Sequence, residues 1–152
     1  MRKRTKRKHY PLVNPIEHAI EGAAITPDSE LSYLRLRELA AIEAFRTGTA
    51  TIQEWSDLGG LLRIAETMAR NGIGIEVLSV CMQAQDHLIE SAKRYEATGK
   101  MGATGPALTC WRDLHEYHDL QRTSVSRGEY ERALREATNR LRSRAPEVIH
   151  LS

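Results

Sequence analysis

The sequence predicts an all-α protein: a compact helical bundle of about four long helices, with a short N-terminal helix and a disordered basic arm ahead of it. Three observations carry that prediction. Apolar residues recur at spacings of three and four, the period of one helix face, over most of the chain. Helix-start and helix-stop residues bracket these stretches, among them Thr51 with Glu54, Ser126 with Glu129, Asn71-Gly72 and Gly48. No stretch alternates apolar and polar residues as a half-buried strand does. The chain of 152 residues is long enough for one domain with a sizeable core. It divides into a basic arm (1–13), a single helical domain (14–146) and a short tail (147–152), with no internal repeat.

In chain order, Pro11 biases the residue before it towards extended backbone. Asn14-Pro15 then provides a cap and a first-turn proline for a short helix at 16–21, which ends at Gly22. Thr26-Pro27 starts the next helix, with Asp28 and Glu30 in its first turn, where negative charge suits the helix dipole. Its face is Leu31, Leu34, Ala41, Ile42 and Phe45, with Leu39 at the margin and Leu36 off it. Stretch 51–72 is the expected centre of the fold. Trp55, Leu58, Leu61, Leu62, Ala65, Met68 and Ala69 make a stripe wide enough for more than one neighbour, with Ile64 beyond its edge. The other helices are expected to close over Trp55.

A third helix running to about Thr98 aligns Val77, Cys81, Ala84, Leu88, Ala92 and Tyr95, several of them small enough for close helix contact. The run from Gly99 to Gly105 is the longest segment expected to be flexible. Pro106 restarts a helix with Leu108, Trp111 and Leu114 facing inward. The last helix, 127–144, carries a narrow seam of Tyr130, Leu134, Ala137 and Leu141 and ends before Pro146. That coiled-coil-like spacing places it on the surface or against a partner, a second copy included.

Composition limits the function classes. Hydrophobic residues make up 41% of the chain, and no apolar run approaches about 18 residues, so no membrane span is expected. No apolar stretch follows the basic N-terminus, so no signal peptide is expected either. Cys81 and Cys110 both fall in apolar stripes and read as buried free thiols, which points to a reducing, cytoplasmic setting. The net charge of +2 conceals a division. Residues 2–8 hold six positive charges, leaving 16 basic against 20 acidic side chains in the rest of the chain. From 121 onward seven arginines face four glutamates, so residues 9–120 carry −7.

The arm of Arg2, Lys3, Arg4, Lys6, Arg7 and Lys8 is the clearest functional feature. Such a run repels itself and does not fold alone. It suits release of counterions from nucleic-acid phosphates, with Tyr10 available for base stacking. The plain alternative is a solubilising tail. In the last helix, Arg135 and Arg142 are candidates to follow a phosphate backbone, against a solvated face balanced by Glu131 and Glu136.

Other clusters point less clearly to chemistry. Gly99-x-x-Gly102-x-x-Gly105 with Lys100 precedes a helix start, where free amides hold anions. It lacks the strand and the Gly-Lys-Ser/Thr of a phosphate loop, and reads as a linker. His115, His118 and Asp119 share a helix side and would need His87 or Glu90 to complete a metal site. The spacing of zinc proteases is absent, and Glu116 or His118 has no partner for acid–base work. Asp119 and Arg122, three apart, read as a surface ion pair. No catalytic residue, metal ligand or cofactor is assigned.

Several stretches together carry a family resemblance. They are Leu12-Val13-Asn14-Pro15; Leu34-Arg35-Leu36-Arg37 leading to Ala40-Ala41 and Gly48; Ala65-Glu66-Thr67-Met68 before Gly72-Ile73-Gly74; and Ala103-Thr104-Gly105-Pro106 before Glu116-x-His118-Asp119-x-Gln121. Spanning nearly the whole chain, they resemble a group of small helical proteins encoded by bacteriophages and prophages of Gram-negative bacteria. The resemblance implies a phage-encoded protein in the cytoplasm of the infected host and carries over no catalytic residues. The expected function is non-enzymatic binding of nucleic acid or a host nucleoprotein complex through the basic arm. The alternative is an inhibitor of a bacterial defence or host-control complex, of anti-CRISPR type, acting by protein–protein contact. A metal-dependent enzyme around His115, His118 and Asp119 is the third.

Overall fold

Caps written into the sequence set several of the helix ends in residues 28–143, the part of the chain that the computed structural model describes. The basic arm with Tyr10, the short helix expected at 16–21 and the tail 147–152 lie outside the described residues. Five helices follow one another: α1 (Asp28–Thr47), α2 (Ile52–Arg70), α3 (Val77–Thr98), α4 (Gly105–Ser124) and α5 (Arg127–Ser143). Among the described residues there is no strand. Extended Val125 separates α4 from α5, and Ser126 starts α5 as its sequence predicts, accepting from the Glu129 amide at 3.2 Å.

Thr51 and Glu54 form a reciprocal capping box at the start of α2, which satisfies amide donors that a helix N-terminus leaves free. At the other end Gly72 takes φ +88, a left-handed conformation that glycine adopts without steric penalty. Only a few residues join α1 to α2, so the two run as an antiparallel hairpin.

As expected, α2 is the centre: it contacts all four other helices. Its stripe joins Ala41, Ile42 and Phe45 of α1, Val77, Cys81, Ala84 and Leu88 of α3, and Trp111 and Leu114 of α4 in one apolar core. The deepest aromatic is Trp111, not Trp55. Trp111 is 0% exposed and meets the Phe45 ring edge-on at 4.8 Å, whereas Trp55 is only half-buried. Both indoles donate to carbonyls one turn apart on α3, Trp111 to Ala84 at 3.3 Å and Trp55 to Leu88 at 2.9 Å. Such a donor must find a partner once the ring leaves water.

A second apolar cluster sits behind α2. Met68 there meets Val125, Tyr130 and Ala133, with Ile64 and Ile73 packed alongside. It seats α5 on its own chain. Asn71 donates to Glu136 at 2.8 Å and Arg140 to the Thr67 hydroxyl at 3.2 Å, so α5 runs antiparallel to α2. The buried seam is Tyr130, Ala133 and Ala137, while Leu134 and Leu141 are half-exposed. The helix is thus rotated by part of a turn from the expected seam, because two alanines allow closer approach to α2 than leucines would. Of the seam that suggested self-association, Tyr130 and Ala137 are buried within this chain.

The segment 99–104 is also corrected. Gly99 closes α3 at φ +71, Met101 is buried in the main core, and Thr104 caps α4. The linker is therefore anchored at its middle.

Replacing Trp111 by alanine removes a fully buried indole and is expected to lower unfolding free energy by about 3–5 kcal/mol. Trp55→Ala is expected to cost less, since part of that ring is already in water; urea unfolding of both variants measures the difference.

Candidate functional site

Glu38 occupies a position that helical spacing reserves for an apolar residue, between Leu31 and Ala41–Ile42 on the inner face of α1. It is 8% exposed. An ionised carboxylate in that place needs donors, and α4 supplies them from His115 and Arg122, seven residues apart on one face. Arg122, itself 2% exposed, places its two terminal nitrogens on the two Glu38 oxygens, each at 2.7 Å. This fork fits the planar geometry of guanidinium and carboxylate. His115 Nδ1 lies 3.2 Å from Glu38 Oε1. The ionised carboxylate only accepts, so that nitrogen carries the proton.

Arg122 also donates to Asp119 Oδ1 at 3.0 Å, and Arg35 of α1 donates to both Asp119 oxygens at 2.9 Å. The result is an alternating chain, Arg35–Asp119–Arg122–Glu38–His115, across the α1–α4 contact. Burial pushes the Glu38 carboxyl up, but hydrogen bonds from His115 and Arg122 outweigh it and hold the group below its ordinary range. Asp119 follows the same logic, with Arg35 and Arg122 overcoming burial. The Arg122 guanidinium is raised despite burial, because Glu38 and Asp119 both favour its charge. Burial raises the Tyr130 phenol, which packs over this chain from α5.

His118 points elsewhere. Gln121 uses its amide nitrogen on the carbonyls of Ala65, at 3.2 Å, and Ile73, at 2.8 Å. Its oxygen therefore faces His118 Nδ1, at 2.9 Å, and accepts from it. Burial, with the nearby Arg122 charge, pushes His118 down to about 4. A neutral histidine thus caps a bridge between the C-terminal half of α2 and the loop after it.

These bonds account for the three ligand candidates one by one. His115 serves Glu38, His118 serves Gln121, and Asp119 serves Arg35 and Arg122. His87 lies on α3 beside Glu90, 3.7 Å away, and does not join them. Among the described residues no group of three His, Cys, Asp or Glu side chains is placed to hold a metal ion. Asp119 and Arg122 do pair, but with Arg122 buried and Asp119 half-buried rather than both at the surface as expected. Cys81 and Cys110 are free and buried, and burial raises the Cys81 thiol to about 12.

The exterior of α5 is different. Arg135 and Arg142 are exposed, and so is Arg132, which was not among the sequence candidates. None of the three has an ion-pair partner among the described residues. The glutamates of the helix are engaged elsewhere: Glu129 with Ser126, Glu131 with Arg127, and Glu136 with Asn71. Of the expected spaced pairs, Glu131 with Arg127 forms, whereas Glu136 accepts from Asn71 and pairs with no arginine among the described residues. Glu38 was legible as a carboxylate inside an apolar stripe, and Arg132 as a third arginine on the face opposite the seam.

No family model matches the chain, and neither a curated protein nor a solved structure matches it.

Arg122→Met is expected to cost about 3–5 kcal/mol, because it leaves Glu38 buried without its main countercharge. The double variant Glu38→Leu with Arg122→Met is expected to recover most of that loss, as chemical denaturation of the single and double variants will show. The pH dependence has one sign. Between the ordinary histidine value of 6.5 and the folded value of about 4, the unfolded chain binds a proton at His118 that the folded chain refuses. Stability is present above 6.5 and falls on acidification, by roughly 3 kcal/mol at pH 4 from this group. The depressed carboxyls of Glu38 and Asp119 add to the loss as pH drops through their folded values. Denaturation midpoints between pH 4 and 7 should fall accordingly, and His118→Gln should flatten the upper part of that profile.

Proposed function

We propose that this is a non-enzymatic, phage-encoded binding protein of the host cytoplasm that engages nucleic acid or a host nucleoprotein complex. The basic arm of residues 2–8 makes the main contact, with Tyr10 beside it and Arg135 and Arg142 assisting. The observation that carries the reading is the state of those two arginines: exposed, without ion-pair partners among the described residues, on a helix whose glutamates are occupied. The interior adds support of another kind. Glu38, His115, Asp119 and Arg122 are spent on holding α1 to α4, which is work of packing rather than of chemistry on a substrate.

A second reading rests on different features. Residues 9–120 carry −7, and Tyr33 and Leu36 on the outer side of α1 are 65% and 69% exposed. An acidic body with an apolar ridge suits an inhibitor that covers a nucleic-acid-binding surface of a defence or host-control complex. Pull-down from nuclease-treated host lysate separates the two: retention of a protein partner favours the second, loss of every partner the first.

The leading reading predicts steep salt dependence. Binding of the full chain to a labelled 20-base-pair DNA duplex is expected to weaken linearly with the logarithm of salt concentration. Deleting residues 2–8 should reduce that slope by as much as about 5, since each phosphate no longer neutralised takes away about 0.9. A flat salt response, or unchanged binding after the deletion, would refute it.

A further inference from the structure

The outward face of α5 has a composition of its own. At 100° per residue, Arg132, Arg135, Asn139 and Arg142 fall within an arc of about 80°, opposite the seam of Tyr130, Ala133 and Ala137. All four are exposed. The remaining position in the arc is Gly128, so it contains neither an acid nor an aromatic residue. Ser143 and Glu131 border it, and Glu131 is already paired with Arg127. The one aromatic side chain of the helix, Tyr130, is turned inward and buried against Met68 and Ala133. From Arg132 to Arg142 the line is about 15 Å long. The bonds from Asn71 to Glu136 and from Arg140 to Thr67 hold the helix against α2.

From this we infer that the outer face of α5 is a docking surface for the phosphate backbone of double-stranded nucleic acid, with Arg132, Arg135 and Arg142 as phosphate ligands and Asn139 as a polar contact between them. The inference rests on the nucleic-acid reading above and narrows it. Charge complementarity selects a polyanion. The absence of an aromatic platform in the arc selects a duplex over a single strand, because proteins that hold single strands stack bases on exposed aromatic rings. A duplex also presents the denser line of charge, one per about 1.7 Å of axis. Backbone contacts of this type set position and orientation and read no sequence.

The test uses the full chain, the triple variant R132Q/R135Q/R142Q and the deletion of 2–8, with fluorescence anisotropy on a 20-base-pair DNA duplex and on a 20-nucleotide single strand. The three arginines lie outside the core, and far-UV circular dichroism melting checks that the variant folds as the parent does. Expected are duplex binding at least about tenfold tighter than single-strand binding, similar affinity for unrelated duplex sequences, and a salt slope reduced by about 3 in the triple variant. An unchanged slope in the triple variant, with binding still lost in the deletion, overturns this inference and leaves the arm-based reading standing. Equal or tighter binding of the single strand overturns the duplex assignment. Absence of binding by the parent overturns both. If the parent does not bind duplex and sedimentation shows a dimer that the triple variant dissociates, the face belongs to a second copy and the inference falls.

Discussion

A guanidinium sealed inside a helical core must be neutralised where it stands, and the arrangement of α1 against α4 follows from how Arg122 meets that demand. Its fork on Glu38 joins positions 84 residues apart in sequence. A buried pair of this kind adds little net stability over apolar side chains of the same volume, since both ions lose their hydration. What it adds is register. Sliding α1 by one turn along α4 would take Glu38 away from His115 and Arg122 together, leaving the buried carboxylate without donors and Arg122 with Asp119 alone. Apolar contacts such as Phe45 on Trp111 tolerate small shifts; the ionic chain does not.

The same demand reaches the remaining helices through their packing. Tyr130 closes over the Arg122 chain from α5 and is held there by Met68 and Ala133. Gln121, one residue before Arg122, ties α4 to the carbonyls of Ala65 and Ile73, at the end of α2 and in the loop that follows. Two packing clusters, one on each side of α2, are thereby fixed relative to each other. The orientation of α5 follows, and with it the direction in which its outer arginines project.

How much of this is legible in the sequence depends on whether the controlling interaction is local. Helix boundaries are, because a cap is a contact over three or four residues: Thr51 with Glu54, or glycine at a left-handed position after α2. The central place of α2 is also legible, since a wide apolar stripe needs several neighbours whatever they are. Depth is not. Periodicity shows which side of a helix is apolar but not how far that side lies from water, so it points to Trp55 at the centre where Trp111 belongs. The seam of α5 escapes it for a related reason: leucine outranks alanine in hydrophobicity, yet alanine lets helices touch. The meaning of Asp119 with Arg122 depends on Glu38 and Arg35 on α1, far away in sequence, and nothing in the local pattern distinguishes a buried pair from an exposed one.

The distribution of charge governs how the proposed partner would approach. Across the α1–α4 contact, positive and negative groups are matched between Arg35, Asp119, Arg122 and Glu38, so that region contributes little long-range field. Residues 9–120 as a whole carry −7, whereas the arm and the chain from 121 onward are positive. By net charge alone, a polyanion is disfavoured by residues 9–120 and favoured by the arm and the outer side of α5. Repulsion of this sort sets orientation as firmly as attraction does, because like charges brought face to face raise the free energy of every wrong pose. The arm concentrates six cations in seven residues; a helix held to α2 supplies direction with less charge. On the proposed reading, the two placed on one chain with an acidic body would orient a phosphate backbone without any base-specific contact.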